Sequence, residues 1–270
     1  MLIVMLSHWY CSDMDLLSAW AAWKSDAPPF LLEEDRDFIT RLSTEKRLVH
    51  GWRDGIAGPD FGNPDDRRFH FGLLPMPFVG NLRRASVYIL LLNPGQGPHD
   101  YFGEYEVPDY RDALIANLRQ ERDSFLFLDP QFSWHGGFDY WHRKLAGLIT
   151  ELAKQTSYAS ARSRLAHELA CIELIPYHSP SFHDPGNWRR QLPSALLARR
   201  FVHEHVVPKA RSGEAVVVVA RQAQVWDLPE HDRIVRYRGA ESRAAHLTPN
   251  SRGGRAILKH LTPRSYASTR

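Results

Sequence analysis

Long apolar runs alternate along the chain with segments in which apolar residues recur every three or four positions. A continuous apolar run is typical of a strand buried on both faces, whereas the second spacing is typical of an amphipathic helix. Strands are predicted at 85–93, 169–177, 214–226 and 233–237, and helices at 138–154, 192–209 and 251–261. This alternation predicts an α/β fold in three α/β/α layers, with a central, mostly parallel four-stranded sheet.

The first 74 residues do not follow this alternation. Helical spacing runs from Met14 to about Leu48, and a stretch rich in glycine, proline and aspartate follows at 51–81. Because the aromatic residues of that stretch need burial, it is predicted to be a long ordered loop rather than a linker. We therefore expect an N-terminal helical extension and loop at 1–74, packed on an α/β domain at 75–270.

Ligands of parallel sheets bind beyond the carboxyl ends of the strands. Asn93 ends the first predicted strand, in the run YILLLNPGQGPHD at 88–100. The loops at 93–105, 173–183 and 246–252 follow the ends of three strands, and we expect them to be neighbours.

The composition is 43% apolar and 24% charged, as in a soluble globular protein. The apolar opening MLIVML has no basic flank and is too short to span a membrane, so we expect a cytoplasmic protein without a membrane partner. Cys11 and Cys171 lie far apart in the sequence and provide neither a disulfide framework nor the thiolates of an iron–sulfur or structural zinc site.

The net charge is +3, and basic residues concentrate near the C-terminus. They are Arg233, Arg236, Arg238, Arg243, Arg252, Arg255, Lys259 and Arg264. This asymmetry suits a polyanionic partner, and from charge alone an ordinary solvated face fits equally well.

Several common site motifs are missing from the sequence. The glycine pattern that starts at Gly95 lacks its third glycine because position 100 is aspartate, and neither a Walker loop nor GxSxG is present. The histidines do not have the spacing of a zinc motif, so no metal and no cofactor are predicted.

Two other motifs remain, and together they resemble those of the uracil-DNA glycosylase superfamily. Asn93-Pro94-Gly95 matches the motif at the end of the first strand in the mismatch-specific uracil/thymine branch. The segment HLTPNSRGG at 246–254 resembles the second family motif at His246, Pro249, Ser251 and Arg252, and departs from it at Leu247, Thr248 and Asn250. The resemblance covers about residues 75–262.

This resemblance implies a monofunctional, monomeric DNA glycosylase that hydrolyses the N-glycosidic bond of a flipped-out pyrimidine and leaves an abasic site. By analogy, Asn93 would position the attacking water, and His246 would donate a hydrogen bond to the departing base. An amide is not a base, unlike the aspartate of other branches, so Asp100, Glu104 or Glu173 would have to assist.

The resemblance also implies which base the enzyme excises. Gly95, with Gln96 beside it in the substrate site, stands where strict uracil enzymes have a tyrosine that blocks carbon 5, so a 5-substituted base is expected. Glu173 stands near the family's base-reading asparagine, and a protonated carboxylic acid would suit cytosine. A 5-modified cytosine of the kind found in some phage DNA is therefore one expected substrate, with uracil or mismatched thymine as the alternative.

Other implied contacts involve stacking and DNA. The aromatic residue expected to stack on the base is Tyr101 or Phe102, with Tyr105 third. Asn250, Ser251, Arg252 and Arg255 are expected to bind DNA: Asn250 as a polar wedge, and the helix after Ser251 as a donor to phosphate. A DNA-binding protein of the same fold with weak catalysis, and a hydrolase of free nucleosides or nucleotides, are the alternative functions.

Overall fold

A computed structural model describes residues 15–24, 26–43, 46–48 and 61–262. The apolar opening, Cys11, residues 51–60 of the predicted loop and Arg264 lie outside the described residues.

The described residues form an α/β protein with a mixed five-stranded sheet. Its strands are β3 (Phe78–Val79), β4 (Val87–Leu90), β5 (Leu169–Ile172), β6 (Val216–Val219) and β7 (Ile234–Arg236), and a separate parallel pair consists of β1 (Arg47–Leu48) and β2 (Phe69–His70). The strand order is β3-β5-β4-β6-β7. The four predicted strands are present and parallel, whereas β3 runs antiparallel to β5.

Strand β3 corrects the prediction of a four-stranded sheet, because it lies in the stretch predicted to be a loop. Pro75 and Pro77 precede it and Gly80 follows it, at a φ of +92°. A strand of two residues between such neighbours leaves no hydrophobic pattern that the sequence could show.

Some helices lie before the five-stranded sheet in the chain, and others follow or alternate with its strands. They are α1 (Leu16–Ala22), α2 (Arg36–Thr40), α3 (Pro98–Glu106), α4 (Pro108–Leu118), α5 (Gly136–Leu152), α6 (Tyr158–Glu168), α7 (Trp188–Gln191), α8 (Pro193–Phe201), α9 (Val207–Ser212), α10 (Ala223–Trp226), α11 (Gly239–Ala244) and α12 (Arg252–Leu261). The helix predicted at 192–209 is α8 and α9 joined by a π-helical turn at Val202–Val206. Pro208 directly follows the π-helical turn, and because it has no N–H it interrupts the α-helical hydrogen bonding at this point.

Alternate residues of β4 face two hydrophobic cores on opposite sides of the sheet. Tyr88 and Leu90 belong to one core with residues of α1, α8 and α9, and Val87 and Ile89 belong to the other with residues of α5, α6 and α12. Leu16 of α1 is buried in the first core, and burial of such a side chain stabilises the fold by about 1.5–3 kcal/mol. The described N-terminal helices therefore share a core with the sheet.

Backbone hydrogen bonds continue past the carboxyl ends of β4 and β5. Ile175 donates to the Leu92 carbonyl at 2.8 Å, and Ser179 donates to the Pro94 carbonyl at 3.3 Å. The segments that follow the two central strands are therefore fixed against each other. Across the described ranges, no helix combines the length and the apolar character that crossing a bilayer requires.

Candidate functional site

A cavity of about 700 Å³ lies at the carboxyl ends of β4 and β5. Its walls include residues 91–97 after β4, residues 178–182 after β5 and side chains from the start of α5, with Glu173 and Arg221 among the polar groups. This is the edge of the sheet at which ligands of parallel sheets bind.

Asn93 lines this cavity, and hydrogen bonds hold its amide in one orientation. Nδ2 donates to the Pro94 carbonyl at 2.9 Å and to Ser179 Oγ at 3.0 Å, and the Tyr177 carbonyl oxygen lies at 3.4 Å. Two of these partners are carbonyl oxygens, which only accept, so they identify the nitrogen of the amide. Oδ1 makes no hydrogen bond to a described residue and can accept one from a water molecule.

Glu173 directly follows β5 and lines the same cavity, with 5% of its surface exposed. Oε2 is buried and has no hydrogen-bond partner among the described residues. Burial raises the pKa of the carboxyl group from 4.5 to about 8, and the charge of Arg221 opposes this rise. The side chain therefore carries a proton at neutral pH and offers one donor and one acceptor.

Gly95 and Gln96 also line the cavity. A Cβ added at Gly95 would meet no described atom within 4 Å, so a larger side chain has room there. Nε2 of Gln96 donates to the Gly97 carbonyl at 2.8 Å. Gly95, Gln96 and Glu173, which were predicted to bind the substrate, thus line the same cavity as Asn93.

The aromatic rings at the cavity differ from those the sequence suggested. Tyr101 is fully buried and its hydroxyl lies 3.0 Å from His70 Nδ1, while Phe102 is 45% exposed and packs edge-to-face with Trp134. Neither residue, nor Tyr105, is among those that line the cavity. The aromatic residues that do so are Phe127, Tyr140, Trp141 and Phe182. The turn of α3 directs Tyr101 into the protein, so its contacts are those of a packing residue.

Asp100 and Glu104, the two other carboxylates expected to assist Asn93, already have hydrogen-bond partners within the protein. Asp100 lines the cavity, but Oδ2 accepts from the Gly97 N–H at 2.7 Å and Oδ1 lies 3.5 Å from His135 Nε2. Glu104 is buried away from the cavity lining, and it accepts from the Leu74 N–H at 2.8 Å. Burial raises the pKa of Glu104 well above 4.5, and its carboxyl group does not line the cavity.

His246 lies on the loop between α11 and α12 and is exposed. Its carbonyl accepts from Tyr237 Oη at 2.6 Å, and Lys144 of α5 donates to the Ala245 carbonyl at 2.9 Å. His246 is not among the residues that line the cavity. Hydrogen bonds therefore join the first two of the three predicted loops, whereas the third is bonded to Tyr237, Arg236 and Glu241.

The residues predicted to bind DNA lie on this third loop and the first turn of α12. Asn250, Arg252 and Arg255 are exposed, and Arg255 donates to the Asn250 carbonyl. Ser251 caps α12, where its Oγ accepts from the Gly254 N–H at 3.0 Å.

The start of α12 has fewer free donors than the sequence suggested. The Gly253 N–H donates to Tyr237 Oη at 3.1 Å, and the Gly254 N–H is taken by the Ser251 cap. Both donors are satisfied within the protein, which corrects the expectation that the start of α12 offers them to a phosphate.

His178 also lines the cavity, although the sequence identified it only as one of several histidines without the spacing of a zinc motif. Its Nδ1 lies 2.7 Å from the Gly95 carbonyl oxygen, a contact between residues 83 positions apart that no local motif reveals. Within the ranges that the structure describes, no group of three or more histidine, cysteine, aspartate or glutamate side chains could hold a metal ion. In comparisons with known proteins, no family model, no curated protein and no solved structure matches the chain.

Proposed function

We propose that the protein is a DNA glycosylase of the uracil-DNA glycosylase type, which hydrolyses the N-glycosidic bond of a flipped-out pyrimidine with a substituent at carbon 5. One observation gives the strongest support: the Asn93 amide and the Glu173 carboxyl group follow adjacent parallel strands and line one cavity. The size of this cavity is in the usual range for small-molecule sites.

Asn93 and Glu173 suit the two charges that develop during the reaction. Breaking the bond develops positive charge on the sugar and negative charge on the departing base. Oδ1 of Asn93 can hold a water molecule for attack on the sugar carbon, and the protonated carboxyl group of Glu173 can donate to the base. We assign to Glu173 the stabilisation of the departing base, which the family resemblance assigned to His246.

The carboxyl group of Glu173 also supports a cytosine-type substrate. The base edge of cytosine presents an amine donor and a ring-nitrogen acceptor, and a neutral carboxylic acid complements both. The open space at Gly95 leaves room for a group on carbon 5. Together these features favour a 5-substituted cytosine over unsubstituted uracil.

The cavity also provides surfaces for stacking. Tyr140 lines it and is 42% exposed, and Trp141 and Phe182 are further aromatic residues of the lining. Stacking of a base on an aromatic ring is worth about 1–3 kcal/mol, which offsets part of the cost of flipping. Arg252 and Arg255 are exposed in the first turn of α12, where they can exchange their intramolecular partners for phosphates.

The function is tested with oligonucleotides that carry a single uracil, a thymine mismatched with guanine, cytosine, or one of several 5-substituted cytosines, each as a single strand and as a duplex. Treatment with alkali after incubation reveals abasic sites. We expect strand breaks with a 5-substituted cytosine, and none with the Asn93→Ala variant.

Two other results would each replace the proposal. DNA binding with a steep salt dependence and no abasic product anywhere in the panel would indicate a binding protein. Release of the base from free nucleosides or nucleotides, without activity on oligonucleotides, would indicate a monomer hydrolase.

A further inference from the structure

His178 has one ring nitrogen with a defined partner and one without. Nδ1 lies 2.7 Å from the Gly95 carbonyl oxygen, which only accepts, so Nδ1 carries the hydrogen. In the neutral imidazole, Nε2 then has a free lone pair. Nε2 is buried and has no hydrogen-bond partner among the described residues, and His178 lines the cavity with 2% of its surface exposed.

The two chain neighbours of His178 contact the Asn93 amide. Nδ2 of Asn93 donates to Ser179 Oγ and lies 3.4 Å from the Tyr177 carbonyl oxygen, and these two residues flank His178 in the chain. The Gly95 carbonyl that fixes the His178 tautomer belongs to the same N-P-G segment as Asn93. Hydrogen bonds therefore fix the segment of the amide and the segment of the imidazole against each other.

The other acid–base groups of the cavity are less suited to take a proton from water. Both oxygens of Asp100 face polar neighbours, and Glu173 already carries a proton at neutral pH. His99 also lines the cavity, but it is exposed and its orientation is not fixed by a backbone carbonyl. His178 combines a defined tautomer, burial and a place in the cavity lining.

We propose that His178 is the general base of this site, an inference that rests on the proposed glycosylase function. Asn93 Oδ1 holds the water, and Nε2 of His178 takes one of its protons while the water oxygen bonds to the sugar carbon C1′. The bond from C1′ to the base nitrogen breaks, and its electron pair passes to the base. The base takes up the proton of the Glu173 carboxyl group, and the imidazolium proton then returns to Glu173 through solvent.

The His178→Asn variant separates this role from a structural one. The asparagine Nδ2 occupies nearly the place of the imidazole Nδ1, so the variant keeps a donor for the Gly95 carbonyl and removes the basic nitrogen. We expect its single-turnover rate on the best substrate of the wild type to fall by about 10²–10⁴-fold, with affinity for the same DNA unchanged within about threefold.

A second variant and two controls complete the experiment. His178→Ala should be inactive but regain activity in proportion to added imidazole, and the rescued rate should change with the pKa of substituted imidazoles, which a merely structural role would not produce. His142→Asn is the matched control, because His142 lies outside the cavity lining, with its Nε2 2.8 Å from Tyr158 Oη, and this variant should keep wild-type activity. His99→Asn tests the other imidazole of the cavity lining.

The outcomes are distinguishable. Wild-type cleavage with a His178→Asn rate within about threefold of wild type would overturn the role of His178 and leave the glycosylase function standing. A large loss with His99→Asn, and none with His178→Asn, would transfer the role to His99. A wild type without activity on the whole panel would overturn the function, and the role of His178 with it. If His178→Asn does not fold, as thermal unfolding would show, imidazole rescue of His178→Ala decides, and absence of rescue counts against the proposal.

Discussion

Asn93 Nδ2 donates to Ser179 Oγ at 3.0 Å, and this contact joins the segment after β4 to the segment after β5 inside the cavity. Together with the Pro94 carbonyl at 2.9 Å, it holds the amide nitrogen of Asn93 and leaves the amide oxygen for a ligand. Ser179 is 1% exposed, so the contact is shielded from water.

Ser179→Ala should therefore lower the rate of base release without unfolding the protein. Loss of one neutral hydrogen bond costs about 1 kcal/mol, which corresponds to about fivefold in rate. The measurement is single-turnover cleavage of the best substrate, with thermal unfolding as the check on stability. Ser181→Ala is the matched control, because Ser181 lines the same wall without contacting Asn93; an equal effect of both variants would contradict a specific role for Ser179.

Gly95→Tyr should restrict the substrate. The added side chain enters open space, so the variant should fold, but the ring should occupy the place of a substituent on carbon 5. We expect activity on 5-substituted cytosines to fall at least about tenfold relative to activity on the unsubstituted base. The measurement is the ratio of the two kcat/KM values. A difference of one methylene in a pocket is by itself worth about tenfold or more in kcat/KM. Gly95→Ala should behave as wild type, and unchanged processing of 5-substituted bases by Gly95→Tyr would refute the assignment.

The protonation of Glu173 should be visible in the pH profile of cleavage. The carboxyl pKa is raised to about 8, so the proton is present at neutral pH and is lost as the pH rises through that value. Wild-type activity on a cytosine-type substrate should therefore decrease above about pH 8. Glu173→Gln should be slower and should lack this decrease, because glutamine cannot ionise or give a proton to the base. A variant with the same alkaline decrease and the same base preference as wild type would contradict the role of Glu173.

Asp35 should make stability depend on pH. It is fully buried, and it accepts from Tyr177 Oη at 2.6 Å and from the Ser194 N–H at 2.9 Å. Burial nevertheless raises its pKa from 3.8 to about 6, so between these values the folded state binds a proton that the unfolded state has lost. The resulting stabilisation is complete below about pH 3.8 and disappears as the pH rises through about 6.

Urea unfolding measured at several pH values tests this prediction. The free energy of unfolding of Asp35→Asn, relative to wild type, should rise between about pH 4 and pH 6, because the variant lacks the wild-type decrease. Asp37→Asn, at an exposed position on the same N-terminal segment, should parallel wild type throughout. Parallel curves for wild type and Asp35→Asn would show that the carboxyl group titrates normally in the folded protein.

Strands β4, β5 and β6 were predictable because each is a continuous apolar run buried on both faces, whereas β7 is a shorter run that ends in the part-exposed Arg236. Strand β3 was not, because its pairing of Phe78 with Ile172 and of Val79 with Cys171 joins two residues to a distant strand and leaves no periodic pattern. The sequence placed Asn93 and Glu173 at strand ends, and the structure shows that both line one cavity.

Other parts of the site depended on long-range contacts. Tyr101 is close to Asn93 in sequence, but its position on α3 turns it towards His70. His178 acquires a defined tautomer only through the Gly95 carbonyl, and His246 is held outside the cavity lining by contacts of its loop with Tyr237 and α5. Spacing in a sequence does not carry such information.

The short antiparallel strand β3 has a consequence for the acid at the cavity. By pairing with β5, it converts β5 from an edge strand into an interior one, and the Glu173 N–H beyond that pairing is bound by the Pro77 carbonyl at 2.9 Å. Detachment of β3 would admit water beside the carboxyl group and favour its ionised form. The backbone pairing of β3 therefore excludes water from the Glu173 carboxyl group and favours its protonated form. The two paired residues lie more than 90 positions before Glu173 in the sequence.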